Sequence, residues 1–315
     1  MAGDRRKHGG APRRISIDSR KSKVGVGDFA GLPDDFSWYG SLEKMIPRIL
    51  AGRDLRSLSS RVVRAAREGR PVIVMMGAHV VKCGLGTLLA ELIRRRVING
   101  VAMNGACAIH DVELAMWGRT SEDVGEGLKT GEFGMTGETS GFFARAAKRC
   151  LDLDVGMGEA LIRELAEAQP RHGDRSVLGA CLDTGVGPTV HIAMGTDVVH
   201  QHDEADGKAI GHGTMKDFRR FAERIAGLNG GVVLNLGSAV IMPEIFLKAV
   251  AMARSRNINL GDFTTANFDM YSLYRPRVNL VERPRLIGGT TFNFLGHHEL
   301  LIPVLTASIL CQIEP

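Results

Sequence analysis

Long apolar runs are missing from this 315-residue chain. The longest uninterrupted stretches, such as residues 72–76 and 302–305, fall far short of the roughly 18 to 20 residues that a membrane-crossing helix needs, so a soluble protein is expected. Cysteine is sparse and scattered. Cys83, Cys107, Cys150, Cys181 and Cys311 make an odd total with no C-x-x-C pair, which excludes a disulfide scaffold, speaks against a structural zinc site and fits a reducing cytoplasm. No apolar segment follows the first basic residues, so a secretory signal is not expected. There is also no G-x-G-x-x-G and no internal repeat.

What is present is enough apolar material for a substantial core, 44% of the residues, and a formal charge of +5 that is unevenly spread. Residues 1–25 hold eight Lys or Arg (Arg5, Arg6, Lys7, Arg13, Arg14, Arg20, Lys21, Lys23) against Asp4 and Asp18. The other 290 residues carry 32 basic and 33 acidic groups, so the body is neutral and the basicity is a tail. With glycines, one proline and few large apolar side chains, residues 1–25 are expected to be a disordered basic arm, and residues 26–315 a single α/β domain.

Helical spacing follows Ser41 (Leu42, Met45, Ile46, Ile49, Leu50), with a bend expected at Pro47, and then Leu55, Leu58, Val62, Val63 and Ala66 up to Gly69-Arg70-Pro71. From there short apolar runs end in glycine and lead into amphipathic stretches. Residues 72–76, 101–103, 189–192 and 232–236 read as strands, and helices are expected near 85–93, 109–116, 157–168, 176–182, 217–226, 243–253 and 299–309. Strand, glycine-bearing turn, helix, strand is the pattern of parallel β-α-β units, so the fold class is α/β, a doubly wound, mostly parallel, Rossmann-like sheet. The glycine-rich stretch 118–155 is expected to be an irregular insertion.

In open parallel sheets ligands sit at the carboxyl ends of the strands. The loops there gather His79, Lys82, Asn104, His110, Asp111, Asp197, His200, His202, Asp203, Asp269, His297, His298 and Glu299. His110-Asp111 and His202-Asp203 each set an imidazole beside a carboxylate, a pairing suited to a general base and its orienting group, and these four are the candidate catalytic residues. Asp111 has an alternative reading as a helix cap. His200-Gln201-His202-Asp203 matches no zinc spacing, and no metal ligand set is assigned. Lys82-Cys83 reads either as a nucleophile pair or as a small buried thiol.

Taken together these loops resemble deoxyhypusine synthase across about residues 35 to 312. Ala78-His79-Val80-Val81-Lys82-Cys83-Gly84 is similar to the family's S-N-L-I-S-S-G loop, and Met103-Asn104-Gly105-Ala106-Cys107-Ala108-Ile109-His110-Asp111 to T-T-A-G-G-V-E-E-D. Gly195-Thr196-Asp197 resembles a T-D-G turn, and Thr214-Met215-Lys216-Asp217-Phe218-Arg219 a D-I-R helix. Val233-Leu234-Asn235-Leu236-Gly237-Ser238-Ala239-Val240 resembles I-L-G-G-G-V, Thr265-Ala266-Asn267-Phe268-Asp269 resembles T-A-Q-E-F-D, and the segment from Leu295 to Pro303 resembles A-D-A-S-L-V-F-P. The resemblance implies an NAD-dependent, tetrameric, polyamine-related transferase. It implies cofactor contacts at Gly77, Ala78, His79, Asn104, Gly105, Ala106, Asp197, Gly237, Ser238, Thr265, Asp269 and His297.

The departures separate this chain from authentic deoxyhypusine synthesis. The family's imine-forming lysine falls at about Arg283, which stays protonated and cannot take that covalent step. The family's K-H-H-I appears as Met242-Pro243-Glu244-Ile245, and the second acid of E-E-D as His110. The expectation is therefore a divergent NAD-binding enzyme acting on an amine-bearing small molecule by oxidation and alkyl-group transfer. The alternatives are a metal-dependent hydrolase or lyase using the histidine-rich loops, and a non-catalytic scaffold whose basic arm binds RNA or an acidic partner.

Overall fold

Six short strands assemble edge to edge, the central ones buried on both faces. The computed structural model describes residues 13–35 and 38–313. Its central sheet contains β2 (Val72–Met76), β3 (Gly100–Asn104), β5 (Thr189–His191), β6 (Val232–Leu236), β7 (Thr264–Asp269) and β8 (Thr290–Leu295), in the order β5-β3-β2-β6-β7-β8. Every pair is parallel. β1 (Ser22–Gly25) and β4 (Arg119–Glu122) form a separate antiparallel pair.

The pleat divides the core in two. Val72, Val74 and Met76 face a cluster built with helices Leu50–Arg67, Gly86–Arg94, Gly105–Trp117 and His298–Ile313. Ile73 and Met75 face Phe221, Ile225, Phe246 and Phe263 on the other side. The chain steps outward through β2, β3 and β5, then returns to the opposite flank of β2 and steps outward through β6, β7 and β8. Strand order therefore reverses between β2 and β6, where a doubly wound sheet opens a crevice at its carboxyl edge. Both strands end in glycine there. A Cβ on Gly77 would lie 2.4 Å from the carbonyl oxygen of Gly237, so the two backbones approach as only glycine permits.

Several elements depart from the sequence expectations for physical reasons. The helix at Ser41 does not bend at Pro47: Tyr39–Met45 ends, Ile46 is extended, and a new helix starts at Leu50. A residue close before proline is pushed out of helical geometry. Residues 118–155 are not irregular but contain β4 and helices Val124–Thr130 and Gly137–Asp152. Their glycines serve as ends, with Gly118 and Gly131 closing helices in the left-handed conformation.

β7 and β8 carry polar residues that mask them as strands. In register, Asn235, Asn267 and Asn293 lie side by side on adjacent strands. Asn235 Nδ2 donates to Asn267 Oδ1 at 2.8 Å, and Asn267 Nδ2 to Asn293 Oδ1 at 2.9 Å. Amide ladders let polar side chains sit in a sheet interior.

The disordered-arm expectation fails for residues 13–25; residues 1–12 lie outside the described residues. Ser22 and Val24 pair with Glu122 and Thr120, and Arg20 is buried with both guanidinium nitrogens Nη1 and Nη2 at 2.8 Å from the Glu113 carboxylate. Thr120 and Thr139 donate to the same carboxylate. Such a planar, two-pronged pair exchanges hydration for directed charge-assisted bonds. Removing one partner leaves an uncompensated buried charge, so Arg20→Met is expected to lower stability by about 3–5 kcal/mol. Arg13→Ala, at an exposed pair with Glu132, should cost under about 1 kcal/mol; urea denaturation of both variants checks the contrast.

Candidate functional site

Two neighbourhoods lie at the carboxyl edge of the sheet, joined by the five-residue helix Ala78–Lys82. The first is the crevice at the strand-order reversal. Gly77 and Ala78 border it from β2, and Gly237 and Ser238 from β6. Ser238 Oγ accepts from Met242 N at 3.3 Å, securing the start of helix Ile241–Ser255. Asp269 ends β7 and His297 follows β8, so both also stand at this edge.

At the rim, His79 and Cys83 face the same way one helical turn apart, and the start of helix His298–Ile313 brings in Glu299. Cys83 Sγ lies 3.2 Å from His79 Nε2. Burial, with Glu299 beside it, pushes the Cys83 thiol up to about 11, so it is protonated at neutral pH and a poor nucleophile. Burial lowers His79, with His298 adding to the effect; its ring meets that of His298 edge-on at 5.6 Å. His298 is buried, with Nε2 at 3.2 Å from the Phe268 carbonyl oxygen and a buried Nδ1 lacking a partner.

The second neighbourhood is a half-open cavity of about 190 Å³ with both apolar and charged walls. Lys82, His110, Glu122 and Asp197 line it together with the Arg20–Glu113 pair. Burial lowers the His110 imidazole to about 4, and its Nδ1 lies 2.6 Å from Thr120 Oγ1. Burial raises the Asp197 carboxyl to about 6. The imidazole is neutral at pH 7 and the carboxylate has only recently given up its proton, a separation that marks candidate base and anion roles.

The sequence-predicted residues divide accordingly. Asp111 does not orient His110. It is buried and points the other way, where its carboxylate accepts from Ser176 Oγ at 2.6 Å, Val177 N at 2.9 Å and Leu178 N at 2.8 Å, capping helix Val177–Thr184. His202 is not oriented by Asp203: its Nε2 meets the Gly134 carbonyl oxygen at 2.8 Å, while Asp203 is exposed to solvent. His202 lines a small pocket distinct from the His110 cavity. Thr265 sits near the beginning of β7, buried and donating to the Leu280 carbonyl, away from the carboxyl edge.

Asn104 caps its own helix through Cys107 N, and Asp197 covers Gly105 so closely that a Cβ there would lie 2.0 Å from Oδ2. The N-terminus of helix Gly105–Trp117 thus already faces a carboxylate. Arg283 lies in an apolar pocket with Phe263, just ahead of β7, away from both neighbourhoods. Sequence reasoning missed the parts Arg20, Glu113 and Glu122 play in the cavity; the only local signal was Glu113, a second acidic residue two positions after Asp111 in a largely apolar helix.

No family model matches the chain. Ornithine cyclodeaminase of Methanocaldococcus jannaschii is 28% identical over 116 residues, which is 37% of this chain and 26% of the relative. Among solved structures, AgrE in a ternary complex with ornithine and NAD+ gives a TM-score of 0.54 at 14% identity, covering 84% of this chain and 34% of AgrE. ArgZ, an arginine dihydrolase from the ornithine-ammonia cycle in cyanobacteria, gives 0.53 at 15% identity, covering 83% and 32%. A protein assigned as a deoxyhypusine synthase from Entamoeba histolytica gives 0.51 at 10% identity, covering 89% and 97%. These likenesses show the fold, α/β and Rossmann-like, and the relation to deoxyhypusine synthase holds as a distant fold relationship. The chain spans only about a quarter to a third of ornithine cyclodeaminase, ArgZ and AgrE. Among the described residues no helix is long and apolar enough to cross a membrane.

The two neighbours His110 and Asp111 are expected to behave oppositely. Asp111→Ala leaves two buried amides and a hydroxyl without their acceptor and should lower stability by about 2–4 kcal/mol. His110→Ala, at a cavity wall, should cost about 1 kcal/mol or less. Thermal and urea denaturation of the pair measure the difference.

Proposed function

We propose that this protein is an NAD-binding enzyme acting on a small amine-bearing compound, with the cofactor at the β2/β6 crevice and the substrate in the His110 cavity. The observation that carries this reading is the reversal of strand order between β2 and β6, with Gly77 and Gly237 in close approach and a 15-residue helix starting beside them. Small residues at that corner suit a dinucleotide; at the start of helix Ile241–Ser255 Met242 N is held by Ser238 Oγ and Pro243 has no N–H, which leaves the Ile241 N–H to face a pyrophosphate. Gly77, Ala78, Gly237 and Ser238 would hold the cofactor. The end of β3, where dinucleotide-binding folds often present an acid to the ribose, carries Asn104 instead, so ribose recognition follows a different route here. The recorded ligands of AgrE, ornithine and NAD+, and the ornithine cyclodeaminase similarity support the same pairing of cofactor and substrate class.

When bound, NAD supplies a hydride acceptor. The chain's own groups would do the rest. Asp197 and Glu122 draw an ammonium group into the cavity, Lys82 holds a carboxylate, and neutral His110 takes a proton as the substrate is oxidised. A cavity of about 190 Å³ is below the usual range for drug-sized ligands and suits an amino acid or diamine. Tyr271, Tyr274, Leu295 and Leu300, exposed after the ends of β7 and β8, support homo-oligomeric assembly along this edge.

Val240→Asp tests the cofactor site. Aspartate at this exposed position places a negative charge where the pyrophosphate is proposed, and circular dichroism checks that the variant folds. NADH binding followed by fluorescence should weaken at least about 10-fold, equivalent to about 1.4 kcal/mol. Wild-type protein that binds neither NAD+ nor NADH would overturn the reading.

The pH dependence tests the substrate site. Asp197 gains its charge as pH rises through about 6, while the substrate amine remains protonated, so kcat/KM for amine oxidation should climb through that range. In Asp197→Asn the climb should vanish and KM should rise more than kcat falls.

A further inference from the structure

The rim cluster is not needed to hold either proposed ligand, and its composition indicates a separate role. We infer that His79, Cys83 and Glu299 form a binding site for one zinc-type divalent cation, with a fourth coordination position left open. One candidate ligand atom from each of the three residues lies within 4.8 Å of the others, an imidazole nitrogen, a thiol sulfur and a carboxylate oxygen. Among the described residues no other group of such donors converges in this way.

The geometry is close to what an ion requires. Bond lengths of about 2.0–2.3 Å to nitrogen, oxygen and sulfur place tetrahedral donors about 3.3–3.8 Å apart. The Cys83–His79 contact, at 3.2 Å, is already near that value. His79 and Glu299 are exposed at their tips, so rotation of their side chains brings the remaining donors in without moving backbone.

The backbone itself fixes the frame. His79 lies in helix Ala78–Lys82 and Cys83 closes it as the C-cap four residues on, where Cys83 N donates to the His79 carbonyl at 2.9 Å. Glu299 comes from the first turn of helix His298–Ile313. Each ligand therefore sits on an ordered element rather than in a loose loop.

Donor chemistry selects the metal class. Binding releases the Cys83 thiol proton to solvent, and the resulting thiolate with an imidazole favours zinc and related transition ions over magnesium or calcium, which seek oxygen. Three protein ligands on an accessible rim leave the fourth place of a tetrahedral ion to water or to a substrate atom, as in catalytic rather than structural sites. The inference does not rest on NAD binding.

The test uses the full chain, purified without an affinity tag and stripped with a chelator. Titration with Co²⁺ is expected to give one ion per chain, with a visible spectrum of tetrahedral type and a thiolate-to-cobalt charge-transfer band; Zn²⁺ should displace it and Mg²⁺ should not. Cys83→Ser should abolish the charge-transfer band. Loss of outer-shell partners alone typically weakens metal binding about 10–100-fold, so His79→Ala should weaken Zn²⁺ affinity at least about 100-fold and Glu299→Gln at least about 10-fold. Cys311→Ser, at a half-exposed thiol elsewhere, should change nothing. These residues lie at the surface of the fold, and circular dichroism verifies that each variant is folded. Uptake well below one ion per chain, a band that persists in Cys83→Ser, or unchanged Zn²⁺ affinity in His79→Ala would overturn the inference. Because NADH binding is measured separately, failure of either proposal leaves the other standing.

Discussion

The constraint on which this structure depends is that its central sheet is parallel and buried on both faces. Most side chains pointing up or down from β2, β3 and β6 are claimed by two apolar clusters, so, apart from the asparagine ladder, polar groups gather where strands end. The strand ends at the carboxyl edge hand over to glycine or asparagine corners and helix starts. Because order reverses between β2 and β6, the connections diverge there and leave room. The ligand surface thus follows from how the core is covered, and no special loop is needed to make it.

Burial then sorts the polar groups that reach this edge. The same desolvation that keeps His110 neutral raises the Asp197 carboxyl, since each is pushed toward its uncharged form. Asp111 feels burial too, but its three donors pull in the opposite direction, and it is committed to a helix end. A carboxylate fully supplied with hydrogen bonds has little left to offer a substrate. Asp197, packed over Gly105 without such an array, keeps that capacity. On the proposed reading, function and structure are divided between these two acids by their hydrogen bonds and not by their charge.

What could be read in the sequence follows from the range of each interaction. The apolar strands β2, β3 and β6 and the helices after them were legible, because their signal is local and periodic. β7 and β8 were not, because the asparagine ladder that makes their polar residues acceptable lies across strands. Arg20 looked like part of a solvated tail because Glu113, its partner, is supplied by a helix far along the chain. The His110-Asp111 pair misled for a geometric reason. Adjacent residues on a helix project about 100° apart, so neighbours in sequence are poor candidates for partners in space. His79 and Cys83, one turn apart, were better placed, yet their relation to Glu299 depends on the tertiary fold.

Helix Ala78–Lys82 is where these strands of argument meet. At five residues it is too short to be stable alone, and it is held by its contact with helix Gly105–Trp117 and by burial of Val80 and Val81. Its exposed residues serve both neighbourhoods: His79 and Cys83 share the rim with Glu299, while Lys82, displaced around the axis, reaches the His110 cavity. Lys82 also acts electrostatically on both imidazoles, lowering His79 and His110 alike. A cation at the rim and a charged amine in the cavity would therefore act on opposite sides of the same small element. On these two proposals, a rotation of that helix that improves one set of contacts alters the other.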